Sequence, residues 1–578
     1  MIYNRMIIRF FVMCCLLFAV VTSFAQSPAR KFNVTGAARG YFFGDRLDQN
    51  VAQEDTITIP RLNSGHVLAD LGLNIRPNKN MEIQGMVRVR NDYGGFWGSG
   101  VTFDIRQLYV KGVIGNVVRY QLGDINYRMT KYTLWNNDQE LLSLTPQAFR
   151  QQYDVLNYDH FYNNDHSWRQ QGAAAEFALV FSKFVEELQF HTVATRVRAS
   201  NNSSINDRIF AGLNLQLIQS KYFNVGFNFV NLNDIEGTSR NTTLFRNPVM
   251  TYTAEGKWNN EQWAATSDVE WAHSKTFYVN DAEAPEWKGS AIDWRAKVKN
   301  EKTNVTLDVR LSKVDALFNS PGAQTKRINY GQLPTAYGRI TNDQVVRNLS
   351  MMDLMRESNF YNLQLQNYLM AFAPKYDNIT PYGDATPNRM GGVINLGWES
   401  PKKDVKVYVA NTDMQEVRGE GTLTPRKFMR TEGGVEFKRE KAFTSWQRRL
   451  AAQLSFRNDQ TTRGGTDVVP QVDLNTQVAA AGLEIEVLEK LDLMAGWQWI
   501  QYNGFDFVAR KNAYGETFNF NEYKVNGKEN MMALGLRYRF SENAFLTTQW
   551  NQYDINDATL NSTSYNVGQI MVLYQMNF

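Results

Sequence analysis

SYNVGQIMVLYQMNF, residues 564–578, ends the chain on an alternation. Counting back from Phe578, Met576, Tyr574, Val572 and Ile570 share its face, while Asn577, Gln575 and Gln569 lie on the other. Successive side chains of a strand point to opposite sides, so the segment reads as a β-strand with one continuous apolar face. Residues 531–540 repeat the pattern, with Met532, Leu534, Leu536, Tyr538 and Phe540 on one face and Ala533, Gly535, Arg537 and Arg539 on the other. A soluble sandwich produces the same alternation, so the class is decided by the rest of the chain.

Short alternating segments recur from Phe32 to Phe578, aromatics make up 13% of the residues, and mean hydropathy is −0.44. No run beyond residue 25 approaches the length of an apolar membrane helix, which excludes a helical membrane protein. In a transmembrane barrel, lipid-facing and lumen-facing residues alternate, so each span averages polar while one face stays apolar. Short connections at Pro77–Lys79, Asn259–Glu261, Asn300–Lys302, Glu399–Lys403, Leu488–Leu491 and Ser541–Asn543 alternate with longer polar ones. That is the asymmetry of periplasmic turns and extracellular loops. Walking the chain with this rule gives eleven upward segments, from 32–43 to 544–553, and eleven downward partners, from 66–76 to 564–578. The fold expected is all-β: a single-chain antiparallel transmembrane β-barrel of 18–22 strands, best count 22, in which 116–123 and 404–411 are the weakest segments. Trp258, Trp263, Trp271, Trp294, Trp398, Trp497, Trp499 and Trp550 lie near strand ends and read as interfacial girdles.

The first 25 residues place Arg5 and Arg9 before an apolar run from Phe10 to Val21 and the small-residue pattern Ser23-Phe24-Ala25. This reads as a cleaved signal peptide, 1–25, leaving 26–578 as the barrel. Both cysteines, Cys14 and Cys15, leave with it, so the mature chain forms no disulfide and offers no thiol nucleophile. The formal charge of +4 falls to about +2, and no strong field steers the chain toward nucleic acid.

Two long connections, 124–170 and 313–390, break the spacing, and long loops carry function. In the second, Val345, Val346, Leu349, Met352 and Met355, and then Tyr361, Leu365, Tyr368, Leu369 and Phe372, follow helical spacing. One or two helices are expected there, as a cap on the mouth or a plug in a mostly polar lumen. The first carries Tyr127, Tyr132, Trp135, Phe149, Tyr153, Tyr158, Phe161, Tyr162 and Trp168, a mixture that either stacks sugars or forms the loop's own aromatic core. Asp159-His160 and Asp165-His166 have the donor types of a metal site, but the spacing fits no zinc motif, and no metal and no cofactor are expected.

By alternation Arg88, Arg90 and Arg119 point to the lumen, with Arg106 joining from the neighbouring strand. Clustered, they would form an anion-selective band. Asp293, Arg295, Lys297, Asp308, Arg310, Arg537 and Arg539 also face inward and read as wall ion pairs. His66, His160, His166, His191 and His273 are the five histidines, and none sits in a nucleophile motif, so no catalytic residue is assigned and no enzyme is expected.

The terminal strand, ending in Phe578 after Met576 and Tyr574, resembles that of outer-membrane barrels, which implies an assembly signal read by the barrel-assembly machinery. The run RQLYVKGVIGNVVRYQLGDINY, 106–127, resembles the strand, turn and strand near the start of phosphate-selective or polysaccharide-export porins. The expectation is a porin-like channel in the bacterial outer membrane, in contact with lipid, for passive passage of polar solutes. The alternative is a non-enzymatic scaffold in an envelope machine for secretion, assembly, motility or glycan transport, meeting other envelope proteins through its extracellular loops.

Overall fold

The computed structural model describes residues 32–50, 61–93, 101–135, 137, 142–156, 158, 168–201, 203–324, 374–440, 448–465, 471–511, 516–559 and 563–578. The signal-peptide segment, the Asp-His pairs at 159–166 and the expected helices at 345–372 lie outside these residues.

Among the described residues the chain forms 22 strands and one helix. The first strands are β1 (Phe32–Asn50), β2 (Arg61–Asn78), β3 (Met81–Asp92), β4 (Val101–Ile114) and β5 (Val118–Tyr127), followed by helix α1 (Gln147–Leu156). Next come β6 (Trp168–Val180), β7 (Glu187–Arg198), β8 (Arg208–Ser220), β9 (Phe223–Asp234), β10 (Leu244–Asn259), β11 (Trp263–Val279), β12 (Trp287–Asn300) and β13 (Val305–Val314). After the second long connection the wall continues with β14 (Arg389–Glu399), β15 (Val405–Gln415), β16 (Lys427–Arg439), β17 (Leu450–Arg463) and β18 (Val472–Leu488). It ends with β19 (Leu491–Lys511), β20 (Thr517–Ser541), β21 (Ala544–Asp557) and β22 (Thr563–Asn577).

Each strand pairs antiparallel with its neighbours in sequence, and the sheet closes where β1 pairs β22, from Ala37 with Asn577 to Asn50 with Ser564. Reciprocal backbone bonds between Gly36 and Phe578, 2.8 and 2.9 Å, end this seam. A Cβ on Gly36 would lie 2.7 Å from the Phe578 ring and 2.3 Å from the Asp70 carbonyl oxygen, so only glycine fits. All 22 expected segments are wall strands, including the weak 116–123 and 404–411, which fall on β5 and β15. Most strands extend beyond the expected limits toward the long-connection end, β20 by fourteen residues before Met531.

The outer surface follows the alternation. On β20, Met532, Leu534, Leu536, Tyr538 and Phe540 are exposed, and Ile570 and Phe578 continue the face on the terminal strand. Trp258, Trp263, Trp271, Trp294, Trp398, Trp497 and Trp550 are exposed with it. An outward apolar belt of this extent requires a lipid surround.

The inner face is not uniformly polar. From β18 through β22 to β1, Leu474, Val478, Met494, Ile500, Met531, Met571, Leu573, Tyr41 and Phe43 are buried in one cluster with Phe149 and Val155 of α1, interleaved with buried Gln498, Thr547, Gln549, Asn551 and Gln569. Stretches such as Ile570–Leu573 are apolar on both faces because a second layer packs inside them.

Candidate functional site

That inner layer is the first long connection. Leaving β5, Met129 reaches Gly212 on β8, and Lys131 pairs with Asp293 on β12 and, at 3.8 Å, with Asp268 on β11. Ser143 N–H donates to Glu432 of β16 at 3.0 Å, and Ser455 of β17 donates to the Leu144 carbonyl at 3.1 Å. Helix α1 follows along β18–β22. Met494 of β19 accepts from Gln151, Thr547 of β21 donates to Gln151, Gln549 donates to the Ala148 carbonyl, and Gln152 donates to Gln569 of β22. Tyr158 then meets Asp70 of β2 and Arg106 of β4, and the chain enters β6. In barrel order these contacts pass from β5 through β8, β12, β17, β19 and β22 to β4, so the described residues of the segment trace a hoop round the inside of the wall.

The helix was not expected here, although its signals are present. Pro146 suits a helix start, and Ala148, Phe149, Gln152 and Val155 form one buried stripe while Arg150 and Asp154 face away from the wall. The inner wall is cut to receive the hoop. A Cβ on Gly434 would sit 3.0 Å from Leu144, on Gly482 3.0 Å from Pro146, and on Gly496 3.1 Å from both Ala148 and the Phe149 ring.

The described parts of the second connection also lie inside. Tyr132 of the hoop packs edge-on against Phe318 at 5.6 Å, and Ser320 donates to the Tyr132 carbonyl at 2.7 Å. On the return, Lys375 and the Tyr376 hydroxyl reach the fully buried Glu529 of β20, at 3.3 and 2.7 Å, and Asn378 donates to Asp506 of β19. Arg389 gives its N–H groups to the carbonyls of Asn378, Ile379 and Asn388 and stacks 3.8 Å over Phe428. Residues 315–324 and 374–388 are thus bound to the inner wall, while the helical segment read as a cap or a plug lies outside the described residues.

Of the four arginines read as a lumen band, Arg88 and Arg106 come together on one carboxylate. Arg88 grips Asp70 through two bonds of 2.8 Å, and Arg106 lies 3.5 Å from the same carboxylate and 4.0 Å under the Tyr158 ring. Arg90 pairs with Asp92 at 2.8 Å. All three are buried, with Tyr158 lying over Arg88 and Arg106. Burial, with the Asp70 hydrogen bond acting alongside and Arg106 opposing, pushes the Tyr158 phenol up to about 12, so it stays a proton donor to Asp70 at neutral pH. Arg119 stands apart: it pairs with Glu176 at 3.1 Å and is 74% exposed.

The other inward charges form wall pairs. Asp293 binds Arg310 and Lys131, Arg295 binds Asp308, and Asp492 takes Arg449, Arg537 and Arg539. Sequence reasoning missed Asp70, Glu432, Glu529 and the glutamines of α1; strands apolar on both faces, such as Ile570–Tyr574, were the signal that something packs inside. Phe578, Met576 and Tyr574, read from the sequence as an assembly signal, sit at the seam.

No protein-family model matches the chain, and no curated protein matches it. Solved structures similar to it include OccK2 (OpdF) of Pseudomonas aeruginosa, at 8% identity over 94% of this chain and 98% of that one, TM-score 0.38. A BenF-like porin from Pseudomonas fluorescens Pf-5 matches at 9% identity over 80% and 100%, TM-score 0.38. A loop-deletion mutant of OmpT from Vibrio cholerae matches at 10% over 94% and 99%, TM-score 0.27. The closed sheet and its outward apolar belt are those of a large transmembrane β-barrel.

Proposed function

We propose that the chain is an outer-membrane channel for passive passage of small polar solutes, narrowed from within by its own connections. The observation that carries this reading is the hoop: a wall of 22 strands is wide enough to leave an aqueous lumen, and a segment laid against its inner face narrows the bore. The exposed side of α1, with Arg150 and Asp154, then faces the passage. Arg88 and Arg106 enter with Asp70 as the brace that holds Tyr158 to the wall, Arg90 pairs with Asp92, and Arg119, paired with Glu176, is the member of the band open to water.

Single-channel conductance in a planar bilayer tests this directly. Replacing 143–156 with a short Gly/Ser linker removes the hoop from the β16–β22 wall and is expected to raise conductance several-fold. Unchanged conductance in a folded variant would favour the scaffold reading, to which the tight packing of both connections on the wall also lends support.

A further inference from the structure

The β5–β6 pair bends off the wall part-way up. Gly123 and Gly172 face each other in its ladder, and a Cβ on them would lie 2.3 Å from the Leu108 carbonyl oxygen and 2.0 Å from that of Ala194. Gly123 has φ +95°, a conformation that favours glycine. Beyond these glycines β5 and β6 stay paired with each other, from Asp124 with Gln171 to Tyr127 with Trp168, while the pairing of β5 with β4 ends at Gly123. The tip leans toward β7: Thr195 donates to Gln170, and Ile125 is buried in one cluster with Val193 and Val197. On the side it leaves, β4 runs on from Leu108 to Val101 with strand pairs, among the described residues, to β3 alone. This edge lies at the depth of the lipid-facing belt, since Ile105 shares a row with the exposed Val87 and Leu71.

Hydrocarbon cannot satisfy the N–H and C=O groups of an open strand edge, so this edge has to be wetted from the lumen, and water and lipid meet here. The two sides of the notch match that boundary. Outside, Phe103 and Ile105 are 72% and 70% exposed, with Leu108 and Leu122 exposed below them. Inside, alternation turns Thr102 and Asp104 to the lumen, and Asp104 is exposed and forms no ion pair among the described residues. At the foot of the notch the Leu108 N–H donates to Asp124 at 2.6 Å. We propose that the notch between β4 and β5 is a side passage by which a cationic amphiphile, an ammonium head on an acyl-type tail, moves between the lumen and the bilayer. Its tail passes the apolar outer lip while its head keeps hydrogen bonds to the open edge and to Asp104. The proposal goes beyond passage of polar solutes along the lumen and rests only on the barrel spanning a bilayer.

The test uses the full mature chain carrying single cysteines, each labelled with a bimane fluorophore and reconstituted in phosphatidylethanolamine–phosphatidylglycerol vesicles. Thr102→Cys reports the inner lip. Ser312→Cys, on an inward position with a paired strand on either side, and Leu534→Cys, in the belt, are references. The quencher is hexadecylamine with a nitroxide near the end of its tail, and quenching is expressed relative to that at 534. Position 102 is expected to be quenched several-fold more than 312, and more by the amine than by a fatty acid carrying the same nitroxide. Adding Asp104→Asn should remove the preference for the amine. Quenching at 102 no greater than at 312, with 534 quenched, overturns the side passage, and equal quenching by amine and acid before that substitution overturns the cationic head. An unquenched label at 534 fails the membrane reading itself. Asp104→Cys reports the inner lip if Thr102→Cys does not fold.

Discussion

Asp70 has no exposed surface and holds Arg88, Arg106 and Tyr158 at once. Asp70→Ala strands two buried guanidiniums, and breaking such a buried pair costs about 3–5 kcal/mol. The temperature at which the compact barrel converts to the unfolded band on a gel should fall clearly. Tyr158→Phe removes one hydrogen bond and keeps the ring over Arg106, so a loss of about 1 kcal/mol is expected; an equal loss in both variants would show that the carboxylate is not the centre of the brace. At the seam, Phe578 exchanges two backbone bonds with Gly36 and lays its ring where a Cβ would be. Deleting Phe578, or placing Asp there, is expected to lower surface assembly sharply while export across the inner membrane continues. Gly36→Val should do the same by a steric route. Normal amounts of heat-modifiable barrel in either case would remove the seam from assembly.

Among the elements, strands were legible and the hoop was not. Period-two alternation on Met531–Phe540 is a local property, set by one lipid face and one inner face, and it located β20 without knowledge of its partners. What lies against the inner face is a non-local fact. Met571 and Leu573 point at α1, four hundred residues earlier in the chain, and alternation cannot show that the lumen side of β22 is dry. The helix itself was short, with Gln151 and Gln152 on its buried face bonded to Thr547 and Gln569, and these polar positions blurred its stripe. Of the candidate arginines, Arg88 and Arg106 lie against Tyr158, which sits in the hoop and which alternation along a strand cannot place. Truncating a buried Phe costs about 3–5 kcal/mol, so Phe149→Ala should release the hoop while leaving the paired wall intact. Protease added to intact cells would then cut within 128–156 without loss of the heat-modifiable barrel. Gly496→Leu, which drives a side chain into Ala148 and Phe149, is expected to match it. Resistance to protease in both variants would show that the hoop is held elsewhere.

At the scale of the whole molecule, the sheet has one end of short turns and one of long connections. Tags placed at 558–562 should be reached by antibody on intact cells and tags at 541–543 should not; the opposite pattern would invert the barrel. Ion pairs such as Asp492 with Arg449, Arg537 and Arg539 tie the residue before β17 to β19 and β20 and resist salt better than exposed pairs do. The closure of β1 on β22 also sets a calendar for the chain. The first strand to leave the ribosome has to wait for the last one, since its outer edge is unpaired until Ser564–Asn577 exist. Helix α1 waits too, because Thr547 and Gln569 arrive near the end of synthesis. Contacts this distant in sequence form slowly, and an open strand edge invites pairing with other chains. Closure of the ring, and with it the final seating of α1 against β21 and β22, therefore has to follow completion of the chain.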